Sequence, residues 1–148
     1  MFKHLLVTLD GTPRSEAVIP HAIDIAHSMN AQVTLVRVID TTASDWGERG
    51  AIGKSPSDAA IRSACIDEAA AYLERIAAQL RSSRITTHIA IKEGSTVKQI
   101  VAAAKEADAD AIAMTTHSRR GINRLMFGSV ADEVLHESNL PVLLIRAA

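Results

Sequence analysis

The residues best equipped for chemistry lie between Met114 and Val130, which read M-T-T-H-S-R-R-G-I-N-R-L-M-F-G-S-V. Thr115, Thr116, His117, Ser118, Arg119, Arg120, Gly121, Asn123 and Arg124 are small, hydrogen-bonding or cationic. The apolar run Asp110 to Met114 before them suits a strand buried on both faces of a parallel sheet. Gly128-Ser129-Val130 after them opens a helix, with Ser129 able to cap the orphan amides and Asp132 and Glu133 following in the first turn. A polar loop between a strand's carboxyl end and a helix N-terminus is suited to hold an anion, and phosphate is the anion these residues fit. A second candidate is Asp10, which ends the run L-L-V-T-L-D. Beside a phosphate site, a carboxylate is tolerated where it accepts from ribose or adenine donors or holds a Mg²⁺ ion. The other reading of Asp10 is that its side chain caps the Gly11 to Arg14 turn.

Other chemistries are absent from the chain. The histidines form no H-x-x-x-H or H-x-H pair, and no acidic cluster accompanies them, so there is no zinc or iron pattern. Cys65 is the one cysteine, which excludes an intramolecular disulfide and reads as a small apolar residue on a helix. There is no complete G-x-x-x-x-G-K-[ST] phosphate loop, no G-x-S-x-G elbow, and no G-x-G-x-x-G after the first strand. A receiver domain's acid pair after the first strand and phosphorylatable Asp after the third are missing too, since Leu9-Asp10 and Lys92-Glu93 stand at those strand ends. The formal net charge of −1 and an aromatic content of 3% argue against nucleic acid as a partner. No apolar stretch is long enough to span a bilayer, and the run before Asp10 is too short for a signal peptide, so a cytoplasmic protein without a membrane partner is expected.

The elements that must position these residues alternate along the chain. Strands are expected at Lys3 to Leu9, Gln32 to Val38, Ile85 to Ile91, Asp110 to Met114 and Val142 to Ile145. Between them, Thr12 caps and Pro13 opens a helix whose inner face is Val18, Ala22, Ile25, Ala26 and Met29 and which Asn30 ends. A long helix, Asp58 to Arg81, turns Ile61, Cys65, Ala69, Tyr72, Ile76 and Leu80 inward. A third helix starts at a Ser95 cap and buries Val97, Ile100, Val101 and Ala104. The fourth buries Val130, Val134 and Leu135 and stops near Asn139. Asp40 to Pro56 has no period and reads as a loop, with Trp46 placed either to cover a ligand or to anchor the loop. With 148 residues and 47% hydrophobic content, one domain, 1–148, is expected. Strands alternating with helices give an α/β fold, a doubly wound parallel sheet with helices on both faces.

The spacing from Thr115 through Ser118 to Gly128-Ser129 resembles the nucleotide-binding motif of the universal stress protein family, which reads Gly, two residues, Gly, nine residues, Gly and Ser or Thr. Here Thr115 and Ser118 replace the two leading glycines, and the closing Gly-Ser is kept. The opening L-L-V-T-L-D-G-T, the run V-T-L-V-R-V-I-D and the closing P-V-L-L-I-R also look like family members, so the resemblance spans the chain. It implies a Rossmann-like five-stranded sheet in the order 3-2-1-4-5, with a cleft between the first and fourth strands where that order reverses. It further implies a stress-response protein that binds ATP, with Mg²⁺ at Asp10. In that reading the Val38 backbone and Met114 meet the adenine, and Thr8 and Asp10 border base and ribose. Thr115, Thr116, Ser118, Arg119, Gly121, Gly128, Ser129 and the Val130 amide follow the phosphates. No residue is placed to activate a water, so binding with at most slow hydrolysis is expected. Similar proteins form homodimers through the last strand, here Val142 to Ile145. A dimeric interaction module without nucleotide is the alternative.

Overall fold

A computed structural model describes residues 1–41, 56–116 and 129–147, with side chains in the second stretch from residue 59 onward. The strands are β1 (His4–Thr8), β2 (Gln32–Asp40), β3 (Thr87–Gly94), β4 (Ala111–Thr116) and β5 (Val142–Arg146). The helices are α1 (Ile19–Met29), α2 (Pro56–Ser82), α3 (Thr96–Glu106) and α4 (Ser129–Ser138), and a 3₁₀ helix, Pro13–Val18, leads into α1. All strand pairings are parallel, and the order is β3-β2-β1-β4-β5, as the resemblance implied. This is a Rossmann-like α/β fold.

The inner strands β1 and β4 are apolar at successive positions because helices cover both faces of the sheet. Leu5, Val7, Leu9, Leu35 and Ala113 pack with Val18, Ala22 and Ala26 of the first helical segment and with Leu73, Ile76 and Leu80 of α2. Leu6, Val36, Ile112 and Met114 pack on the other face with Val97 and Ile100 of α3 and with Ala131 and Val134 of α4. Fully burying one such side chain contributes about 1.5–3 kcal/mol, which makes β1, with Leu6 and Val7 both at 0% exposure, the axis of the core.

Turn chemistry ends the elements. Asn30 and Asn139 take the left-handed conformation, φ 52° and 56°, after α1 and α4, as asparagine does cheaply. At the amino end of the sheet, Asp110 Oδ2 accepts from the Lys3 N–H at 2.8 Å and Oδ1 from the His4 N–H at 3.2 Å. Partial burial pushes the Asp110 carboxyl upward, but the amide bonds outweigh it and hold the group below its ordinary value. Nearby, His4 Nε2 sits 2.7 Å from Thr34 Oγ1, and desolvation, then the adjacent His88, lower its pKa.

The structure corrects several expectations. β3 starts at Thr87 rather than Ile85, because the Ile85 N–H closes the end of α2 on the Leu80 carbonyl at 3.1 Å, after Arg84 at φ 63°. Ile61 is not inward but 37% exposed, since the inner stripe of α2 is Ala69, Leu73, Ile76, Ala77 and Leu80. In α4 the stripe is Ala131 and Val134, which leaves Val130 and Leu135 37% and 45% exposed. Ser95 occupies the N-cap position of α3 but makes no side-chain capping bond. Thr12 does cap, accepting the Ser15 N–H at 3.2 Å, although the segment it opens is 3₁₀ rather than α. Trp46 lies outside the described residues. None of the described helices is long and apolar enough to cross a membrane.

Candidate functional site

The carboxyl ends of β1, β2 and β4 open into a cleft of about 480 Å³. This is where the strand order reverses, and diverging crossovers leave such a crevice outside the strand ends. Thr8, Asp10, Val38, Met114, Thr115, Thr116, Ser129 and Val130 all line it. Ser118, Arg119, Gly121 and Gly128, with His117, Arg120, Asn123 and Arg124, lie outside the described residues.

At the end of β1 the Asp10 carboxylate caps the turn, as one of the two sequence readings had it. Its Oδ1 accepts from the Thr12 N–H at 2.8 Å and from the Thr12 hydroxyl at 2.6 Å. Capping and lining the cleft are compatible, because a carboxylate accepts several hydrogen bonds. Gly11 between them has φ +88°, and a Cβ there would meet the Arg37 guanidinium at 2.9 Å. The turn therefore requires glycine at this position.

The end of β2 presents backbone. The last β1–β2 backbone bond among the described residues runs from the Leu9 N–H to the Val36 carbonyl at 3.0 Å, while the Thr41 N–H bonds the Gly94 carbonyl on the β3 side at 3.3 Å. Peptide groups alternate sides along a strand, so Val38 directs its N–H and C=O toward β1. At that level β1 has already turned away into the 3₁₀ segment. Among the described residues neither group has a backbone partner, and this donor and acceptor stand together beside Val36, Ile100 and Met114 of the cleft lining.

The end of β4 carries a tether. The Thr115 hydroxyl donates to the Ser15 carbonyl at 2.9 Å across the β1 side of the cleft, and Thr115 is only 8% exposed. The hydroxyl that would replace a glycine's approach to phosphate is engaged elsewhere, so Thr115 can offer a ligand backbone but not that proton. Ser15 is fixed in turn, its hydroxyl donating to the Thr12 carbonyl at 2.8 Å and accepting from the Asp10 N–H at 3.3 Å. Facing this network, α4 starts with Ser129 and Val130 at the cleft wall, which brings its first-turn N–H groups and partial positive end to the site.

Sequence reading missed Ser15, Asp40 and Thr96 on the cleft wall. Thr96 Oγ1 donates to Asp40 Oδ2 at 2.7 Å, joining the end of β2 to the start of α3. The clue available in the sequence was an aspartate at the end of each of the first two strands. Among the described residues, no group of three or more His, Cys, Asp or Glu could hold a metal ion.

The parallel order, the helices on both faces and the cleft at the strand reversal define a doubly wound α/β protein with a switch-point site. The universal stress protein family model matches residues 1–146, and the chain belongs to that family. It is 28% identical over 146 residues to a universal stress protein of Methanocaldococcus jannaschii, covering 99% of this chain and 83% of the relative. A solved structure of another M. jannaschii universal stress protein superposes with a TM-score of 0.81 at 24% identity, covering 100% of this chain and 98% of that one. The universal stress protein of Archaeoglobus fulgidus in complex with dAMP has a TM-score of 0.65 at 22% identity, covering 98% of both chains. An Arabidopsis thaliana member with AMP bound has a TM-score of 0.64 at 15% identity, covering 99% of this chain and 92% of the other.

Proposed function

We propose that the protein is a cytoplasmic stress-response protein whose cleft binds an adenine nucleotide, ATP with Mg²⁺, as a regulatory ligand. The observation that carries this reading is the Val38 peptide pair at the strand reversal, above an apolar floor and opposite the N-terminus of α4. An N–H and a C=O side by side match the N1 acceptor and 6-amino donor of adenine, and the floor suits its ring. Met114 covers the ring, and Thr8 and Asp10 border base and ribose. The phosphates run past the Thr115 and Thr116 backbone and Ser118, Arg119 and Gly121 to Gly128, Ser129 and the Val130 amide, where helix N–H groups favour an anion. Mg²⁺ would be held by those phosphates and Asp10, and it would neutralise charge there. Relatives that carry dAMP and AMP support the ligand class. Mass spectrometry of the purified protein under native conditions is the test. A co-purifying adenine nucleotide supports the reading, and a ligand of another class would replace it.

The same reading makes the protein a homodimer through β5. The two edges of the sheet differ in a way that supports this. At the β3 edge, Arg81 donates through Nε and Nη2 to the Thr87 carbonyl at 3.2 and 2.8 Å, and Lys92 and Glu93 are engaged by Glu106 and Arg62. Charge of this kind blunts an edge against pairing. β5 instead offers half-buried Val142, Leu143, Leu144 and Ile145. The Ile112 N–H bonds the Pro141 carbonyl, so by alternation Leu144 points its N–H away from β4. Leu144→Pro removes that outward donor without breaking the β4 ladder and is expected to yield monomers in sedimentation velocity. A variant that stays dimeric would move the interface elsewhere.

A further inference from the structure

We infer that Tyr72 of α2 is a positioning residue for the cleft, acting through Arg37 on the glycine turn behind the cleft wall, an inference that rests on the nucleotide reading of that cleft. Arg37 stands between Val36 and Val38 on β2. Those two side chains line the cleft, so alternation puts Arg37 on the opposite face, the one on which Leu35 packs with Leu73 and Ile76 of α2. There its guanidinium supports the turn from behind. A Cβ built on Gly11 would lie 2.9 Å from Arg37 Cζ, 2.9 Å from Nη1 and 3.0 Å from Nη2. Near-equal distances to three atoms of a planar group put that point over the face of the group, so the fork lies face-on to Gly11.

An aromatic ring holds this guanidinium. Arg37 Cζ lies 5.6 Å from the centroid of the Tyr72 ring, and none of the ion pairs among the described residues involves Arg37. The ring quadrupole attracts a cation over its face, more strongly where water is excluded, and Arg37 is half-buried. Arg75 Cζ is 5.4 Å from the same centroid, but its side chain is 66% exposed and reaches Glu16 at 4.0 Å, so that contact is the weaker of the two. The Tyr72 hydroxyl is buried without a hydrogen-bond partner, which leaves the ring as the part of Tyr72 that positions. The path is continuous from the α2 ring through the β2 guanidinium to Gly11, and from there to Asp10 and Ser15 at the cleft wall. Thr12 closes the turn by donating its N–H to Asp10 Oδ1 at 2.8 Å. Without the ring, Arg37 is drawn to solvent and the turn loses the surface it rests on.

Tyr72→Leu removes the ring, and Tyr72→Phe keeps it. ATP with Mg²⁺, and AMP, are to be titrated calorimetrically into the wild-type chain and each variant, with amide hydrogen exchange at Thr12 and thermal unfolding measured alongside. Tyr72→Leu is expected to weaken nucleotide binding by about threefold to thirtyfold and to speed exchange at Thr12. Tyr72→Phe is expected to match the wild type in both, at an equal or higher thermal midpoint, because the hydroxyl it removes has no partner. Arg37→Met is expected to reproduce Tyr72→Leu, and the double variant to bind no more weakly than either single one, since both act at one contact. Arg75→Gln is expected to leave affinity unchanged. Ile85→Val thins the same core away from the cleft and is expected to lower the midpoint without moving affinity or Thr12 exchange. Unchanged affinity and exchange in Tyr72→Leu, or affinity losses that follow the midpoint in Tyr72→Leu and Ile85→Val alike, would overturn the positioning role and leave the nucleotide site standing. Absence of ATP and AMP binding by the folded wild type would overturn the nucleotide reading itself, and this inference with it.

Discussion

Two aspartates flank β1, and they do different work. Asp110, at the amino end of the sheet, closes its carboxylate over the first amides of β1, those of Lys3 and His4. Asp10, at the carboxyl end, caps a turn in the wall of a cleft. The amino end is held together by carboxylate, histidine and left-handed turns, with the groups there bonded to one another. The carboxyl end faces outward with a peptide pair, hydroxyls and a helix N-terminus. A parallel sheet imposes this division, because its crossovers leave the crevice on the carboxyl side. The same side chain closes over strand amides at one end and caps a turn in the cleft wall at the other.

The division is broken most sharply by Ser129→Asp. A carboxylate at the first turn of α4 suits the helix dipole, contributing about 0.3–1 kcal/mol, yet it stands where the phosphates are proposed to lie. Nucleotide affinity is expected to fall by about a hundredfold or more while the thermal midpoint holds or rises. An affinity that persists would move the phosphates away from α4. Asp110→Ala should do the reverse. It leaves two amides without their acceptor and is expected to cost about 1–3 kcal/mol in urea unfolding, with nucleotide affinity unchanged. A drop in affinity matching the drop in stability would erase the distinction between the two ends.

Thr115→Val keeps the shape of the tether and removes its donor. About 1 kcal/mol of stability is expected to go, together with a severalfold weakening of nucleotide binding as β4 and the Ser15 segment uncouple. Equal affinities in the two proteins would make the tether a matter of folding alone.

The smallest effect is on pH dependence, and it belongs to the amino end. Asp110 has a folded pKa depressed from 3.8, so its contribution is complete above that value and is lost as pH falls through the lower folded value. His4 is also lowered, from 6.5. The unfolded chain binds that proton first, and stability declines as pH drops below 6.5 toward the folded value. Urea midpoints measured downward from pH 7 should show the His4 decline before the Asp110 one. Replacement of His4 by Gln should remove the first and leave the second.

The order of elements was legible because hydrophobic periodicity and turn residues report burial directly. Asn30 and Asn139 marked helix ends, and Thr12-Pro13 a helix start, by local chemistry alone. Ile61, Val130 and Leu135 were misplaced because periodicity identifies an apolar stripe without saying which of two adjacent stripes meets the sheet. In α4 the small Ala131 is the residue that does so. Thr115, Ser129 and Val130 could be assigned to the cleft from motif spacing, since that spacing is chemistry at one loop, and Asp10 from its place at the end of the first strand. Asp40 and Thr96 could not. Their bond joins residues far apart in sequence, and such pairs become visible only when the sheet order is known. Thr115 shows the same limit. Its hydroxyl looked available to a ligand, and its partner lies at Ser15.

The most direct measurement is an isothermal titration of the wild-type chain with ATP, with and without Mg²⁺, alongside Ser129→Asp. Saturable binding at one site per chain, lost in the variant at unchanged thermal stability, is the expected result. No binding of ATP or AMP by a chain shown to be folded, with no nucleotide already bound, would contradict the nucleotide site and leave a dimeric interaction module in its place.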